Sequence, residues 1–313
     1  MTSRALPAIR RVLFSPPQGR LAVLLPFIGL FLCLGEGTHG GDAGELSPTS
    51  RPSTLTGEVR IHDKFHSRFL PSDRTVLVWL PPGYAEHPRQ RYPVLYLHDG
   101  QNLFDAATSF IGQEWRADET ARSLIDAGKI EPILLVGIYN TGVERINEYT
   151  PTPDPKGRYG GGKADLYGRL IVEELKPFID RTYRTKRGAK DTGLGGSSLG
   201  GLVSLYLGLK YPKVFGKLAV LSPAAWWDDG MIVREVDRLP KKPPLKVWLD
   251  IGAAEGEETV KMTRRLRDAL LHKGWKPGKD LSYVEAPGAQ HNEAAWAGRL
   301  GDILLFLFPK RRS

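Results

Sequence analysis

From Arg74 onward, short and densely apolar runs alternate with longer stretches in which apolar residues recur every three or four positions. The short runs are "RTVLVWLPPGY", "YPVLYLHDG", "PILLVGIYN", "DTGLGG", "KLAVLSPA", "LKVWLDIG" and "LSYVEAPG". Each ends in a loop rich in Gly, Pro, Asn or Asp, and each predicts a strand. Pro81 and Pro82 stop the first of them. Helical spacing appears at Leu166, Leu170, Ile171, Leu175, Phe178 and Ile179, and again after Glu257 at Met262, Leu266, Ala269 and Leu270. A last helix is expected to begin near Asn292 and to carry Trp296, Leu300, Ile303, Leu304 and Leu307. Strand and helix in alternation predict an α/β fold around a mixed, mostly parallel sheet. With no internal repeat and no second break in composition, one domain from 55 to 313 accounts for the pattern.

The N-terminal segment is different. Arg4, Arg10, Arg11 and Arg20 precede the apolar run "LAVLLPFIGLFLCL", Leu21 to Leu34, with no acid among the first 20 residues. A charged region, an apolar region and a small polar exit form the order of a secretory leader, here 1–34. The run is 14 residues long and contains Pro26, short of the about 20 residues of a membrane span. Cleavage and a periplasmic or secreted location are therefore expected, with no stable membrane association afterwards; an uncleaved membrane anchor is the alternative. Residues 35–54, rich in Gly, Ser, Thr and Pro, predict a flexible linker. The one cysteine, Cys33, lies within the leader, so disulfide stapling and thiol catalysis are excluded from the mature chain. The formal net charge is +9, but the basic residues are scattered rather than gathered on a face with stacking aromatics, which argues against nucleic-acid binding.

Candidate chemistry starts at "DTGLGGSSLGGLVSLYLGLKYP", where Gly196-Ser197-Ser198-Leu199-Gly200 reads as G-x-S-x-G. A serine thrust out between a strand and a helix needs neighbours without side chains, so that the two elements can pass closely. Gly196 and Gly200 meet that demand, which makes Ser198 the nucleophile candidate and Ser197 the variable position. The amide of Leu199 opens the following helix and is free to hold an oxyanion. No lysine follows the glycines as a phosphate loop requires, and apolar flanks exclude a linker.

Hydrolases built on such a turn order their partners as serine, acid, histidine. His272 and His291 are the histidines that follow Ser198. His272 closes a basic helix, whereas His291 sits in "APGAQHNEAAW", after the last strand and before the last helix, and is the expected base. Glu255, in the loop after "LKVWLDIG", is the expected acid, with Asp228 and Asp229 in reserve one strand earlier. Asp250 lies within a strand and is disfavoured. The amide of Gln101, after the strand "YPVLYLHDG", is the expected second oxyanion donor. His98 and Asp99 beside it predict a hydrogen-bonded loop anchor; without companion ligands they define no metal site.

Taken together, "YPVLYLHDGQNLFD", "VGIYNTGVERINEYTP", "YRTKRGAKDTGLGGSSLGGL", "LSPAAWWDD", "DIGAAEG" and "GAQHNEAAW" resemble, in order, the "putative esterase" family of the α/β-hydrolase fold. That family contains enterochelin, feruloyl and acetyl-xylan esterases, S-formylglutathione hydrolases and mycolyltransferases. The resemblance implies a mostly parallel sheet with helices on both faces. It also implies Ser198 as nucleophile, His291 as base and Glu255 as acid, although relatives more often use Asp at that position. The "NTGVERINEYTP" segment resembles one that lines the substrate cleft, so Asn140, Arg145, Glu148 and Tyr149 are expected either to contact substrate or to form a loop-fixing salt bridge. Trp226 and Trp227, like Trp115, either stack on a ring of the substrate or fill the cleft wall. The expected activity is exported serine ester hydrolysis of an acylated carbohydrate, phenolic or siderophore-type ester, with no metal or organic cofactor. Acyl transfer of the mycolyltransferase type is the nearest rival, and a non-catalytic glycan-binding role is a remote one.

Overall fold

The computed structural model describes residues 51–310; the expected leader and most of the expected linker lie outside them. Eight strands form one sheet: β1 (Glu58–Phe65), β2 (Arg74–Leu80), β3 (Val94–His98), β4 (Leu134–Ile138), β5 (Thr192–Ser197), β6 (Lys217–Leu221), β7 (Lys246–Gly252) and β8 (Leu281–Ala286). Their order is β1-β2-β4-β3-β5-β6-β7-β8. β2 runs antiparallel to both of its neighbours, and the strands from β4 to β8 are parallel.

The apolar runs are continuous because both faces of the central strands are buried. On β3, Val94 and Tyr96 join one core cluster while Leu95 and Leu97 join the other; on β6, Leu218 and Val220 oppose Ala219 and Leu221 in the same way. β1 lies at the sheet edge, mostly outside the core, with Ile61 60% exposed. Its sequence, EVRIHDKF, therefore lacks the dense apolar signature that marks the other seven.

Helices α1 (Ala117–Asp126) and α8 (Glu293–Leu307) cover one face. The other face packs against α2 (Arg145–Tyr149), α3 (Ala164–Arg169), α4 (Lys176–Thr182), α5 (Leu199–Lys210), α6 (Trp227–Arg238) and α7 (Glu257–His272). The helix expected around 166–179 is α3 and α4 joined by a π-helical turn at Leu170–Leu175. That wider turn shifts the register by a residue, so Tyr167 is buried and Leu166 is 37% exposed. Among the described residues no helix is long and apolar enough to cross a membrane. Because strands β3 to β8 are parallel, the loops that follow them all emerge at one sheet edge, where open α/β sheets carry their sites.

Candidate active site

Between β5 and α5 the chain turns on one residue, Ser198, with φ 58° and ψ −122°. A left-handed φ is uncommon for a non-glycine residue and persists only where the surroundings hold it. Here the Ser198 N–H donates to Leu221 O at 3.0 Å, and its carbonyl accepts from Leu202 N at 3.1 Å and Ala224 N at 3.0 Å. The half-buried side chain stands at the head of α5, and its hydroxyl makes no side-chain hydrogen bond among the described residues.

Steric clearance comes partly from a glycine other than the one expected. A Cβ on Gly196 would meet His98 Cβ at 3.1 Å, which is tight, but one on Gly200 would find its nearest neighbour at an ordinary 3.4 Å. Gly201 is the more constrained position, because its Cβ would press on Leu221 O at 2.8 Å and on Gly196 O at 3.2 Å. Replacing Gly201 by Ala is therefore expected to cost about 1–3 kcal/mol of stability as overpacking. Gly200→Ala should be neutral or slightly stabilising through helix propensity, and denaturant unfolding of the two variants checks the order.

At the same edge Glu255 meets His291. Its Oε2 lies 2.7 Å from His291 Nδ1, while its Oε1 accepts from Ser222 Oγ at 2.5 Å and from Gly252 N at 2.8 Å. A side chain at Gly252 would strike both Ala289 O and Glu255 Oε1. Ala254 N donates to Ala289 O at 3.0 Å, which clamps the Glu255 loop to the loop that carries His291. The imidazole is partly exposed and rests edge-on against Trp296, with ring centroids 4.9 Å apart. Just beyond it, Asn292 caps α8 by accepting from Ala295 N at 2.9 Å.

Behind Glu255 lies a buried network that sequence reasoning missed. Ser222, with φ 39°, ends β6. Its hydroxyl accepts from Trp296 Nε1 at 3.0 Å and Arg299 Nη2 at 3.1 Å while donating to Glu255. Arg299 Nη2 also binds Asp250 Oδ1 at 3.0 Å, and Trp248 Nε1 binds Asp250 Oδ2 at 2.7 Å. Burial pushes the Glu255 carboxyl up, but hydrogen bonds from His291 and Ser222 more than offset this and hold it below its ordinary value. For Asp250 burial wins, and its carboxyl is raised despite Arg299. A lone arginine on the apolar stripe of "EAAWAGRLGDILLFL" was the available signal for Arg299. Ser222, in an ordinary loop, offered none.

Gln101 lies in a short 3₁₀ turn, Gly100–Asn102, directly after the left-handed Asp99. Like Leu199 at the start of α5, it occupies a first turn whose amides have no acceptor within the helix. The anchor expected at His98 and Asp99 is present. Asp99 accepts from Arg145 Nε at 2.7 Å, Arg145 Nη2 at 2.8 Å and Asn140 Nδ2 at 2.7 Å. Burial alone would raise the Asp99 carboxyl, yet Arg145 and Asn140 hold it below the usual range. Of the two uses open to Asn140 and Arg145, the structure thus shows a loop-fixing contact, made to Asp99. Glu148 instead forms a fully buried, two-pronged pair with Arg74, at 3.0 and 3.1 Å.

Trp227 is buried with its indole N–H on Thr152 O at 3.1 Å, and Trp115 is buried against Trp296, so neither offers a ring to a ligand. Trp226 is 41% exposed. The reserve acids Asp228 and Asp229 open α6 in left-handed conformations and engage Arg234.

His98 is fully buried and pairs through Nδ1 with the Tyr167 hydroxyl at 2.9 Å; burial pushes its imidazole down from 6.5 to about 3. A depressed histidine stays neutral when folded but binds a proton when unfolded. Its contribution is complete above about pH 6.5 and is lost as pH falls from there toward 3, by up to about 1.4 kcal/mol per pH unit. Urea unfolding across this window should show that slope, and His98→Asn should flatten it.

A sheet of this order, with a serine turn after β5, an acid loop after β7 and a histidine loop after β8, defines an α/β-hydrolase. Residues 67–307 match the family described as "Putative esterase", and the chain belongs to that family. It is a carboxylic-ester hydrolase by that membership. Among relatives, the uncharacterized protein YbbA of Bacillus subtilis (strain 168) is 27% identical over 252 residues, 77% of this chain and 95% of that protein. Ferri-bacillibactin esterase BesA of the same organism is 28% identical over 251 residues, 74% of this chain and 80% of BesA. The crystal structure of BES protein from Bacillus cereus superposes with a TM-score of 0.65 at 21% identity, covering 84% of this chain and 99% of that one.

Proposed function

We propose that the chain is an exported serine esterase acting through Ser198, His291 and Glu255. Ser198 Oγ attacks the ester carbonyl carbon as His291 takes its proton, and the amides of Leu199 and Gln101 hold the oxyanion. Collapse of the intermediate breaks the ester bond, and His291 returns the proton to the departing alcohol. Water, activated by the same imidazole, then releases the acid and restores Ser198. The reading is carried by the 2.7 Å contact between His291 and Glu255, at the sheet edge where the strained serine turn emerges.

For substrate we favour a siderophore-type or phenolic ester. The name of BesA supports this, as do the exposed apolar side chains Phe110, Ile111, Val143 and Trp226 on loops after β3, β4 and β6. Export rests on the charged and apolar order of residues 1–34. A fluorophosphonate probe should label Ser198, and kcat/KM should be higher on siderophore or feruloyl esters than on acetyl esters. Labelling without that preference would overturn the substrate class alone, and absence of labelling would overturn the mechanism.

A further inference from the structure

Away from the serine turn, three carboxylates converge where the chain enters α1. Glu114, Asp118 and Glu119 each offer an oxygen, and these oxygens lie within 4.8 Å of one another. Glu114 is 4% exposed and Asp118 0%. One oxygen of each acid is already held. The Thr54 hydroxyl donates to Glu114 Oε1; the Thr56 amide and hydroxyl donate to Asp118 Oδ2 at 2.6 and 2.8 Å; Arg116 Nε donates to Glu119 Oε1 at 3.4 Å. The remaining oxygens, Glu114 Oε2, Asp118 Oδ1 and Glu119 Oε2, are buried, and no donor of the described residues reaches them.

Arg116 is the cation paired with this cluster among the described residues, and its side chain is 65% exposed. Three acids thus face one another with little positive charge against them, and buried carboxylates stay charged only when paired or bound to a metal, taking up a proton otherwise. Separations of this size suit a calcium ion, which binds six to eight oxygens at about 2.3–2.6 Å. We propose that Glu114, Asp118 and Glu119 form a structural calcium site, with water completing the shell.

The site would join two parts of the molecule. Thr54 and Thr56 precede β1, while Trp115 N donates to Asn102 O at 2.8 Å in the turn that carries Gln101. The Trp115 ring packs on Trp296, which in turn backs His291. An ion here would fasten the chain before β1 to the loop beside the candidate active site, and it requires no part in the reaction.

The test uses the full chain treated with chelator and then dialysed. Calcium chloride should raise the melting temperature by several degrees, with calorimetry reporting one calcium per chain. Asp118→Asn should abolish the response. Glu119→Gln, at a less buried position, should fold normally and weaken calcium binding by about tenfold or more, since ligand charge tunes such sites. No thermal or calorimetric response of the wild-type chain to calcium would overturn the proposal, as would an unchanged response in Glu119→Gln. A more stable Asp118→Asn in calcium-free buffer, with calcium inert toward wild type, would show that the acids share protons instead.

Discussion

Ser198→Ala is expected to abolish ester hydrolysis, with a loss of about 10⁴-fold or more in kcat, and Ser197→Ala to leave most of it in place. The two serines are adjacent but occupy different structures. Ser197 is the last residue of β5, paired with Leu221 in the sheet and 4% exposed. Ser198 carries the left-handed turn and stands at the N-terminus of α5. Alanine at 198 meets the same backbone demand as serine, so the variant should fold, and circular dichroism checks this. Residual activity then measures what binding and the oxyanion amides contribute without a nucleophile. Equal losses in the two variants would remove Ser198 from its assigned role.

Glu255→Gln comes next in size, at about 10⁴-fold in kcat if the side chain sets the tautomer of His291. The amide is nearly isosteric, and its oxygen can still accept from Ser222 and Gly252. Its nitrogen would then donate toward His291 Nδ1, which forces the ring proton onto Nε2, the atom that must accept from serine. Asp228→Asn should change kcat by no more than a few-fold, because Asp228 engages Arg234 at the start of α6. The reverse ranking would move the acid one strand upstream. A pH effect accompanies the Gln variant. The folded Glu255 carboxyl lies below its ordinary value, so its stabilisation is present above the usual carboxylate range and lost as pH falls through the folded value. Removing the charge should flatten the acid limb of the stability profile.

Legibility followed burial. Strands β2 to β7 announce themselves because both faces of each are covered, leaving little room for polar residues; β8, at the far edge, is only half-buried, and β1, wet at its own edge, leaves no such signature. The strained turn at Ser198 and the pairing of Glu255 with His291 were legible because a serine between strand and helix calls for glycines beside it and the candidate acid and base follow it in a set chain order. What escaped was assembled only in space. Ser222 follows β6, Asp250 lies on β7 and Arg299 on α8, and no local pattern foretells that one hydroxyl will link an arginine to the Glu255 carboxylate. Gly201 escaped for a related reason, since its constraint is the carbonyl of Leu221 on a neighbouring strand. The π-helical turn also left no trace, because an apolar stripe reads the same until the register slips.

The position of His291 sets a rule for variation along the chain. It lies one residue before the cap of α8, while Trp296 and Arg299 on that helix are fixed to Ser222 beneath the sheet. Insertions upstream, between the exposed Pro287 and Gly288, lengthen a surface loop and leave Ala289 O on Ala254 N. A single residue inserted within α8 between Glu293 and Trp296 would instead rotate its two halves by about 100° relative to each other. The imidazole would swing away from Glu255, or the buried arginine from its partners. The spacing from histidine to tryptophan is thus a fixed gauge, and drift in loop length is confined to the side of His291 that faces solvent.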